Sequence, residues 1–449
     1  MAGEWKCIRV DEIAQRTATG PFGSAISSKY FCDTGVPVIR GSNLSQDIGT
    51  RLVDEGLTFV SEEKAEEFAR SEARTGDLVF TCWGTIDQVG LIDHRARYKR
   101  YIVSNKQMLL TPDPSRADSL FLYYAFSSPE NRAAILNRGI GSSVPGFNLG
   151  QLRMFEIVLP PLAEQKAIAA VLGALDDKIE FNRRMNATLE AMARALFQSW
   201  FVDFDPVRAK LDGRKPQGLD KATAALFPSS FQDSPFGAIP RGWEVKRIEE
   251  VVEGVYDGPH ATPATSGTGP IFLGIGNLTG TALDLSDIRH INEDEWARWT
   301  KRVTPKAGDI VFSYEATLGF FALIPPDIRC CLGRRLALVR PLERDGFPHF
   351  WFQQFVSAPF QQFLNQHTIQ GATVDRIPLI AFPSYPVLNP PTELKAAFER
   401  YADPFWQRIH SNQAQSHTLA AIRDTLLPRL LSGELRVTDI EQIEERNAQ

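Results

Sequence analysis

Two stretches of the chain carry a seven-residue hydrophobic repeat. The first reads PPLAEQKAIAAVLGALDDKIEFNRRMNATLEAMARALFQSWF from Pro160 to Phe201, and the second reads PPTELKAAFERYADPFWQRIHSNQAQSHTLAAIRDTLLPRLL from Pro390. They align without a gap at an offset of 230 positions. The repeat predicts two long helices that form a coiled coil. Each helix has one asparagine at a buried seam position, which fixes the register of the pairing. The predicted seam residues are Ile168, Leu175, Asn182, Leu189, Leu196, Phe398, Phe405, Asn412, Leu419 and Leu426.

The ends of these helices carry their own signals. Proline at the start and Glu164 or Glu393 in the first turn favour a helix N-terminus. Pro428 stands where the first helix has Gln198, and it predicts that the second helix ends or kinks near Leu427. The alternative is a pair of unrelated amphipathic core helices.

The remaining segments alternate between strand and helix patterns. VPVIRG, DLVFTCW and QMLLTP are short apolar runs that predict strands, whereas residues 61–70 and 119–136 have helical spacing. FLGIGNL, AGDIVFS and GATV recur about 230 to 234 positions after VIRGSNL, TGDLVFT and GSSV, which indicates duplication of a domain-plus-helix unit. We predict an α+β fold. The predicted segments are a first mixed domain (1–159), the first long helix (160–202), a connector with one helical turn near 222–227 (203–236), a second mixed domain (237–389), the second long helix (390–433) and an acidic tail (434–449).

Composition limits the class of protein. The chain has 449 residues, 43% of them hydrophobic and 23% charged, which is ordinary for two or three globular domains. The five cysteines are odd in number and lack CxxC spacing, so neither a disulfide framework nor a zinc site is expected, and no metal site is predicted. With no apolar signal core and no run of 18 apolar residues, we expect a cytoplasmic protein without a membrane span.

Catalytic signatures are missing from the sequence. It holds no GxxxxGK[ST], HExxH or GxSxG motif and no Gly-rich turn suited to a nucleotide. Asn389-Pro390-Pro391 resembles the start of an amino-methyltransferase box, but Thr392 replaces its aromatic residue. We therefore predict that the chain is not an enzyme and binds no cofactor itself.

Basic runs point to nucleic acid more than the whole-chain charge does. A net charge of −5 argues weakly against such a partner, but acidic segments can mask a basic face. The run HRARYKRYIVSNK contains no acid and suits phosphate and stacking contacts, and the second domain has basic residues at comparable places. A solvated charged surface is the alternative. The candidates are Arg95, Arg97, Tyr98, Lys99, Arg100, Lys106, Arg298, Lys301, Arg302, Arg334 and Arg335.

Loops after strands supply candidates for reading bases. Arg40 and Asn43 follow one strand, and Asn277 lies at the equivalent place in the second domain. Arginine and asparagine can read guanine and adenine edges bidentately, although asparagine in such turns also serves simply to tolerate positive φ. Ser143 and Thr373, in the corresponding GSSV and GATV loops, complete the candidate set.

Several motifs together resemble one family. GPFGSAI with GVPVIRGSNL, the first long helix with WFVDFDPVRAK, and FGAIPRGWEV are similar to the specificity subunit of type I restriction-modification systems, over nearly the whole chain. VYDGPHATPATSGTGP departs from the first domain's GPFGSAISSKYFCDTGVP, so a shared base specificity does not carry over.

The resemblance implies a division of labour. The two mixed domains would be target-recognition domains that each read half of a split site in double-stranded DNA, on two helices that pair antiparallel in a pseudo-twofold arrangement. The partners implied are two methyltransferase subunits and the restriction and translocase subunits, which would hold S-adenosylmethionine, ATP and Mg. The rival hypotheses are a self-contained DNA methyltransferase or nuclease and a protein-binding coiled-coil scaffold.

Overall fold

The computed structural model describes residues 5–141, 145–342, 346–371 and 374–438. The chain forms two compact units: the first comprises Met1–Arg183 with Ala414–Gln449, and the second comprises Arg184–Gln413. Both long helices are divided between the units, so each unit holds one mixed domain and a half of each helix.

The first domain is built from short strands and helices in mixed order. In chain order they are β1 Lys6–Arg9, α1 Val10–Ile13, β2 Ala14–Thr19, β3 Phe31–Cys32, β4 Val36–Ile39, β5 Thr58–Val60, α2 Glu62–Glu67, β6 Glu72–Arg74, β7 Leu78–Thr81, β8 Val89–Leu91, β9 Arg100–Val103, β10 Gln107–Pro112, α3 Ser119–Ser127, α4 Pro129–Asn137, α5 Leu149–Arg153 and β11 Glu156–Leu159. The predicted strands VPVIRG, DLVFTCW and QMLLTP are confirmed as β4, β7 and β10.

The long helices and the connector follow. They are α6 Leu162–Phe197, a π-helical turn Gln198–Val202, α7 Asp205–Leu211, α8 Lys221–Ala225, and the hairpin strands β12 Phe231–Ser234 and β13 Gly237–Pro240. The single predicted turn corresponds to α8, whereas α7 and the hairpin were not predicted. Aromatic side chains explain the difference, because Phe204 contacts Phe231 and Trp243 and so packs the connector onto the core of the second unit.

The second domain continues with the same kinds of element. They are β14 Glu244–Arg247, β15 Val252–Asp257, β16 Ser266–Leu273, β17 Leu278–Thr279, β18 Ala282–Leu283, β19 Arg289–His290, α9 Trp296–Trp299, β20 Ile310–Ser313, β21 Phe321–Leu323, β22 Cys330–Leu332, β23 Leu336–Pro341, α10 Pro348–Val356, α11 Ala358–Gln366, β24 Pro386–Asn389 and α12 Thr392–Ser432.

The two domains share one sheet plan. An antiparallel sheet β2-β10-β7-β8 in the first domain corresponds to β15-β23-β20-β21 in the second. A parallel pair follows in each, β4 with β9 and β16 with β22, and a terminal pair closes each domain, β1 with β11 and β14 with β24. The α+β class and the internal duplication are therefore confirmed.

Helix α3 ends sooner than its sequence pattern suggested. Residues 119–136 were predicted as one helical stretch, but the structure has α3 and α4 with Ser128 between them in an extended conformation. The Ser128 hydroxyl accepts a hydrogen bond from the Asn131 N–H, and Pro129 occupies the first helical turn. A capping serine followed by proline begins a new helix, because proline has no N–H to donate to a carbonyl of the preceding turn.

The second helix was predicted to end or kink near Leu427, and it does not end there, since α12 continues through Pro428 to Ser432. Proline inside a helix costs about 3 kcal/mol. Leu427 and Leu430 are 2% and 0% exposed in the core of the first domain, and burial of two leucines stabilises by about 1.5–3 kcal/mol each. Packing thus offsets the lost backbone bond.

Within each unit the two helix halves run antiparallel. In the first unit, Asn182 Nδ2 donates to Gln415 Oε1 (2.9 Å) and Ser416 Oγ (3.2 Å), and Arg423 Nη1 donates to Asp176 Oδ1 (2.8 Å). In the second unit, Asn412 Nδ2 donates to Asn186 Oδ1 (2.8 Å). Position numbers rise along one helix as they fall along the other, which is the antiparallel order.

The predicted seam residues differ in burial. Ile168, Asn182, Phe398 and Asn412 are buried, whereas the remaining seam residues are half-buried: Leu175, Leu189, Leu196, Phe405, Leu419 and Leu426. The buried positions adjoin a domain or an asparagine contact, so the mixed domains cover part of the seam themselves.

A buried polar network joins the first domain to both helix halves of its unit. The Asp176 side chain is 0% exposed and accepts hydrogen bonds from Arg423 and from the Tyr124 hydroxyl (2.5 Å). Arg51, also buried, donates to the Tyr124 hydroxyl (3.3 Å) and pairs with Asp93. Burial beside Asp176 raises the pKa of Tyr124, so its hydroxyl keeps the proton that it donates.

We predict that Arg423→Ala lowers the free energy of unfolding of the full chain by about 3–5 kcal/mol, because Asp176 is left buried without its cation. Asp424→Ala is the matched control. Asp424 pairs with the same guanidinium (2.8 Å) but is 60% exposed, so its loss should change stability by less than about 1 kcal/mol. Denaturant unfolding of both variants measures the difference, and equal losses would contradict the structural role given to Asp176.

Candidate nucleic-acid interface

The basic run of the first domain lies in the β8–β9 loop, in β9 and in the turn that follows. Arg95 is tied to the first long helix: its Nε donates to Asp177 Oδ1 (2.9 Å), its Nη1 donates to Gly49 O (3.4 Å), and its side chain is only 13% exposed. Arg100 pairs with Glu62 (2.8 Å) and lies 3.8 Å from Glu72. The Arg95 guanidinium therefore joins the domain to α6 and has little left to offer a phosphate, whereas the pair between Arg100 and Glu62 is exposed and weaker.

Tyr98 is also held from within. Its ring meets those of Phe59 and Tyr101 edge-on, and its backbone N–H donates to the Tyr101 hydroxyl (3.0 Å). Tyr101 in turn donates to Asp54 (2.8 Å). This arrangement fixes the loop conformation and leaves Tyr98 half-buried.

The exposed cations of the run are Arg97, Lys99 and Lys106. Within the described parts of the chain, no salt bridge joins any of the three to an acidic side chain, and Arg97 lies over the Tyr98 ring (5.7 Å). These three residues have the geometry that phosphate contacts require, namely a charged end in solvent on a fixed loop.

In the second domain the candidates divide in a similar way. Arg298 pairs with Glu295 (3.3 Å), Arg302 pairs with Asp257, and Arg335 lies 3.8 Å from Glu315. Lys301 and Arg334 are exposed. Ion pairs between exposed groups are weak, so Arg298 and Arg302 can exchange their partners for phosphate more readily than the less exposed Arg95 can.

Asn43 and Asn277 perform the same local task. Asn43 Oδ1 accepts from the Arg40 N–H (3.0 Å), and its Nδ2 donates to the carbonyls of Val53 (3.0 Å) and Glu55 (3.4 Å). Asn277 Oδ1 accepts from the Gly274 N–H (2.9 Å), and its Nδ2 donates to the carbonyls of Asp284 and Asp287. Both amides close a loop, so the structure favours a scaffolding role over the predicted base contact.

Two of the sequence candidates, Ser143 and Thr373, lie outside the described residues. Arg40 is described, and its side chain lies beside a groove of about 600 Å³ in the first domain, together with Lys106. That groove contains residues that the sequence did not single out, above all Trp83, which is 52% exposed. Its position at the end of an apolar strand pattern hid it, because such a tryptophan is usually core.

Comparison with known proteins places these features in a family. A family model for the "Type I restriction modification DNA specificity domain" matches residues 3–191, which comprise the first domain and most of α6. The HindI specificity subunit of Haemophilus influenzae is 24% identical over 75% of this chain and 81% of its own length. The MjaIX specificity subunit of Methanocaldococcus jannaschii is 25% identical over 72% of this chain and 70% of its own length.

Residues 3–191 therefore match the DNA specificity domain of type I restriction-modification systems, and the chain as a whole is similar to specificity subunits of these systems. The fold agrees as well: the crystal structure of the type I restriction-modification S subunit from M. genitalium covers 95% of this chain and 96% of that one, with a TM-score of 0.55 at 13% identity. The resemblance inferred from the motifs is thus confirmed.

Burial changes the chemistry of two cysteines among the described residues. Burial raises the pKa of the Cys82 and Cys330 thiols to about 12, so both are protonated at neutral pH and poor nucleophiles. Across residues 5–141, 145–342, 346–371 and 374–438, no cluster of histidine, cysteine and carboxylate side chains has the arrangement of a metal site, and no helix is long and apolar enough to cross a membrane.

We predict that Arg97→Ala with Lys99→Ala weakens binding of DNA by the complex of this chain with its methyltransferase subunit. The loss should be similar for all DNA sequences, and the log–log salt dependence should flatten by about 0.9 for each phosphate contact removed. Fluorescence anisotropy over a salt series measures both quantities.

Arg95→Ala is the control for this double variant. Because Arg95 is bound to Asp177, its loss should lower the thermal stability while leaving the salt slope almost unchanged. An unaltered slope in the double variant would assign Arg97 and Lys99 to an ordinary solvated surface.

Proposed function

We propose that this chain is the non-catalytic, sequence-reading subunit of a type I restriction-modification complex, that it binds double-stranded DNA at a bipartite site, and that each domain reads one half of it. The observation that carries the proposal is the duplication: two domains with one sheet plan present equivalent loops, and each is joined to the same two helices. A protein that reads two separated half-sites needs one DNA-recognition domain for each of them.

The helices supply the second part of the proposed function. Helix α6 has 36 residues and α12 has 41, which correspond to about 54 and 62 Å of helix. The faces away from the antiparallel contacts would seat two methyltransferase subunits, one for each repeat, and through them the restriction and translocase subunits. Those partners would bind S-adenosylmethionine, ATP and Mg in the cytoplasm. The methyltransferase subunits would flip the target adenine out of the duplex and methylate it.

Exchange of one domain tests the division of labour. Replacing residues 1–159 by the corresponding domain of another specificity subunit should change one half of the recognition motif and leave the other unchanged. Residue 159 ends strand β11, so the exchange leaves α6 intact. Methylation mapping in cells that express the chimera with its methyltransferase subunit reads both halves together, and a change in both halves would indicate one composite reading surface.

The second test treats the helices as a ruler. Both helices pass from one compact unit to the other, between Arg183 and Arg184 and between Gln413 and Ala414. One heptad inserted at each of these two points leaves every contact within a unit unchanged and keeps the seam phase. It adds about 10 Å of helix, or about 3 base pairs of DNA.

The mapped motif should keep both half-sites and gain a longer non-specific gap. A heptad inserted into α6 alone is the control, since it breaks the pairing with α12 and should abolish methylation. If the double insertion leaves an active complex with an unaltered gap, the helices do not set the spacing.

A further inference from the structure

The groove of the first domain lies where three loops meet. The segment after β4 contributes Arg40, the β7–β8 loop contributes Trp83, the β9–β10 turn contributes Lys106, and β10 begins there with Gln107. Backbone hydrogen bonds join these loops: Cys82 N–H donates to Lys106 O (2.7 Å), and Ser104 N–H donates to Ile39 O (2.9 Å). The groove is therefore a fixed surface of the fold, with a volume of about 600 Å³.

Polar atoms in this groove lack partners. Gln107 is 1% exposed, and its Oε1 accepts a hydrogen bond from Ser104, but its Nε2 has no acceptor among the described residues. That Nε2 would lie 3.6 Å from a Cβ placed on Gly41, so it lies beside the residue that follows Arg40. Arg40 Nε is likewise buried without an acceptor in the described chain. A buried donor left unpaired destabilises a protein, which marks both groups as suited to a ligand acceptor.

The second domain builds the same edge from the same backbone bonds. Gly20 N–H donates to Gln107 O (3.0 Å), and Gly258 N–H donates to Leu336 O (2.9 Å). The bond from Cys82 to Lys106 has its counterpart in the bond from Tyr314 N–H to Arg335 O (3.1 Å).

A bridge at this edge also recurs. Trp83 and Gly146 form a β-bridge in the first domain, and Glu315 and Arg376 form one in the second. The backbone of this edge is thus common to both domains, residue for residue.

The side chains on that common backbone differ. Gly274 stands in the place of Arg40, since the amide of each is bound by its loop asparagine. The backbone bonds and bridges described above also show which other positions are equivalent in the two domains: Trp83 and Glu315, Lys106 and Arg335, Gln107 and Leu336, and Gly146 and Arg376. The Trp83 ring requires glycine at position 146, where a Cβ would lie 2.4 Å from the ring. The backbone is common to both domains while the side chains at this edge differ. This is the pattern expected of two domains that recognise different DNA sequences.

We infer that this edge is the base-reading site in each domain, and that Arg40 and Gln107 read the first half-site while Glu315 and Arg335 read the second. This inference rests on the proposed function. Arginine matches the O6 and N7 acceptors of guanine and glutamine matches adenine, whereas a glutamate accepts from the amino group of cytosine. The first half-site therefore contains a guanine read by Arg40, and the second contains a cytosine read by Glu315.

The test uses the residues that the other domain already carries. Arg40→Gly and Gln107→Leu reproduce Gly274 and Leu336 on the same backbone, so both are compatible with the fold. Each should relax one position of the first half-site, with discrimination reduced about 10- to 100-fold, and leave the second half-site unchanged. Methylation mapping with the methyltransferase subunit provides the readout, and the second half-site is an internal control for folding.

Arg40→Lys separates base reading from phosphate binding. Lysine keeps the charge but loses the paired donors, so guanine discrimination should fall while the salt slope stays the same. Glu315→Gln should relax one position in the second half-site only.

An unchanged motif in Arg40→Gly, Gln107→Leu and Glu315→Gln would overturn the inference, as would a uniform loss of affinity with the motif intact. Either result leaves the proposed function standing if the wild-type chain still directs a bipartite motif. Absence of any motif with the wild-type chain would instead refute the proposed function.

Discussion

Asp176 is the point through which the first domain is joined to both long helices. Its carboxylate has no exposed surface and accepts hydrogen bonds from Arg423 on α12 and from Tyr124 in α3. A buried carboxylate is tolerated only where donors surround it, so the three elements must keep one relative position. The first domain therefore has a defined orientation relative to the helix halves of its unit.

The second unit reaches the same end by different chemistry. At the offset of the repeat, Trp406 occupies the place of Asp176 and Ala193 the place of Arg423. Trp406 contacts the rings of His349 and Phe352, with centroids 4.9 and 5.7 Å apart. In the same core Phe197, Phe201, Phe350 and Phe398 pack with ring centroids 5.0 to 6.3 Å apart. An ion pair fixes the relative orientation of its two partners, and aromatic packing stabilises by burying apolar surface. Each unit therefore fixes its domain to its helices, but with different chemistry.

The loop edges diverged in another manner. Asn43 and Asn277 each accept a hydrogen bond from the backbone N–H three residues earlier, so both domains close the loop in the same way. The neighbouring side chains take no part in that bond and could change without loss of the fold, and they differ between the domains, as Trp83 differs from Glu315 and Gln107 from Leu336. Separation of scaffold from contact residues is what allows a recognition domain to acquire a new target.

The sequence by itself determined the long helices, the duplication and the resemblance to specificity subunits, because each rests on spacing and motifs that are visible along the chain. Only the tertiary structure decided the roles of single side chains. Arg95 and Arg100 look free in the sequence but pair with distant carboxylates, and Pro428 is overruled by the burial of Leu427 and Leu430. Trp83 looks like core in the sequence and lies half exposed at a groove. These outcomes depend on contacts between residues far apart in the chain, which local pattern and propensity do not contain.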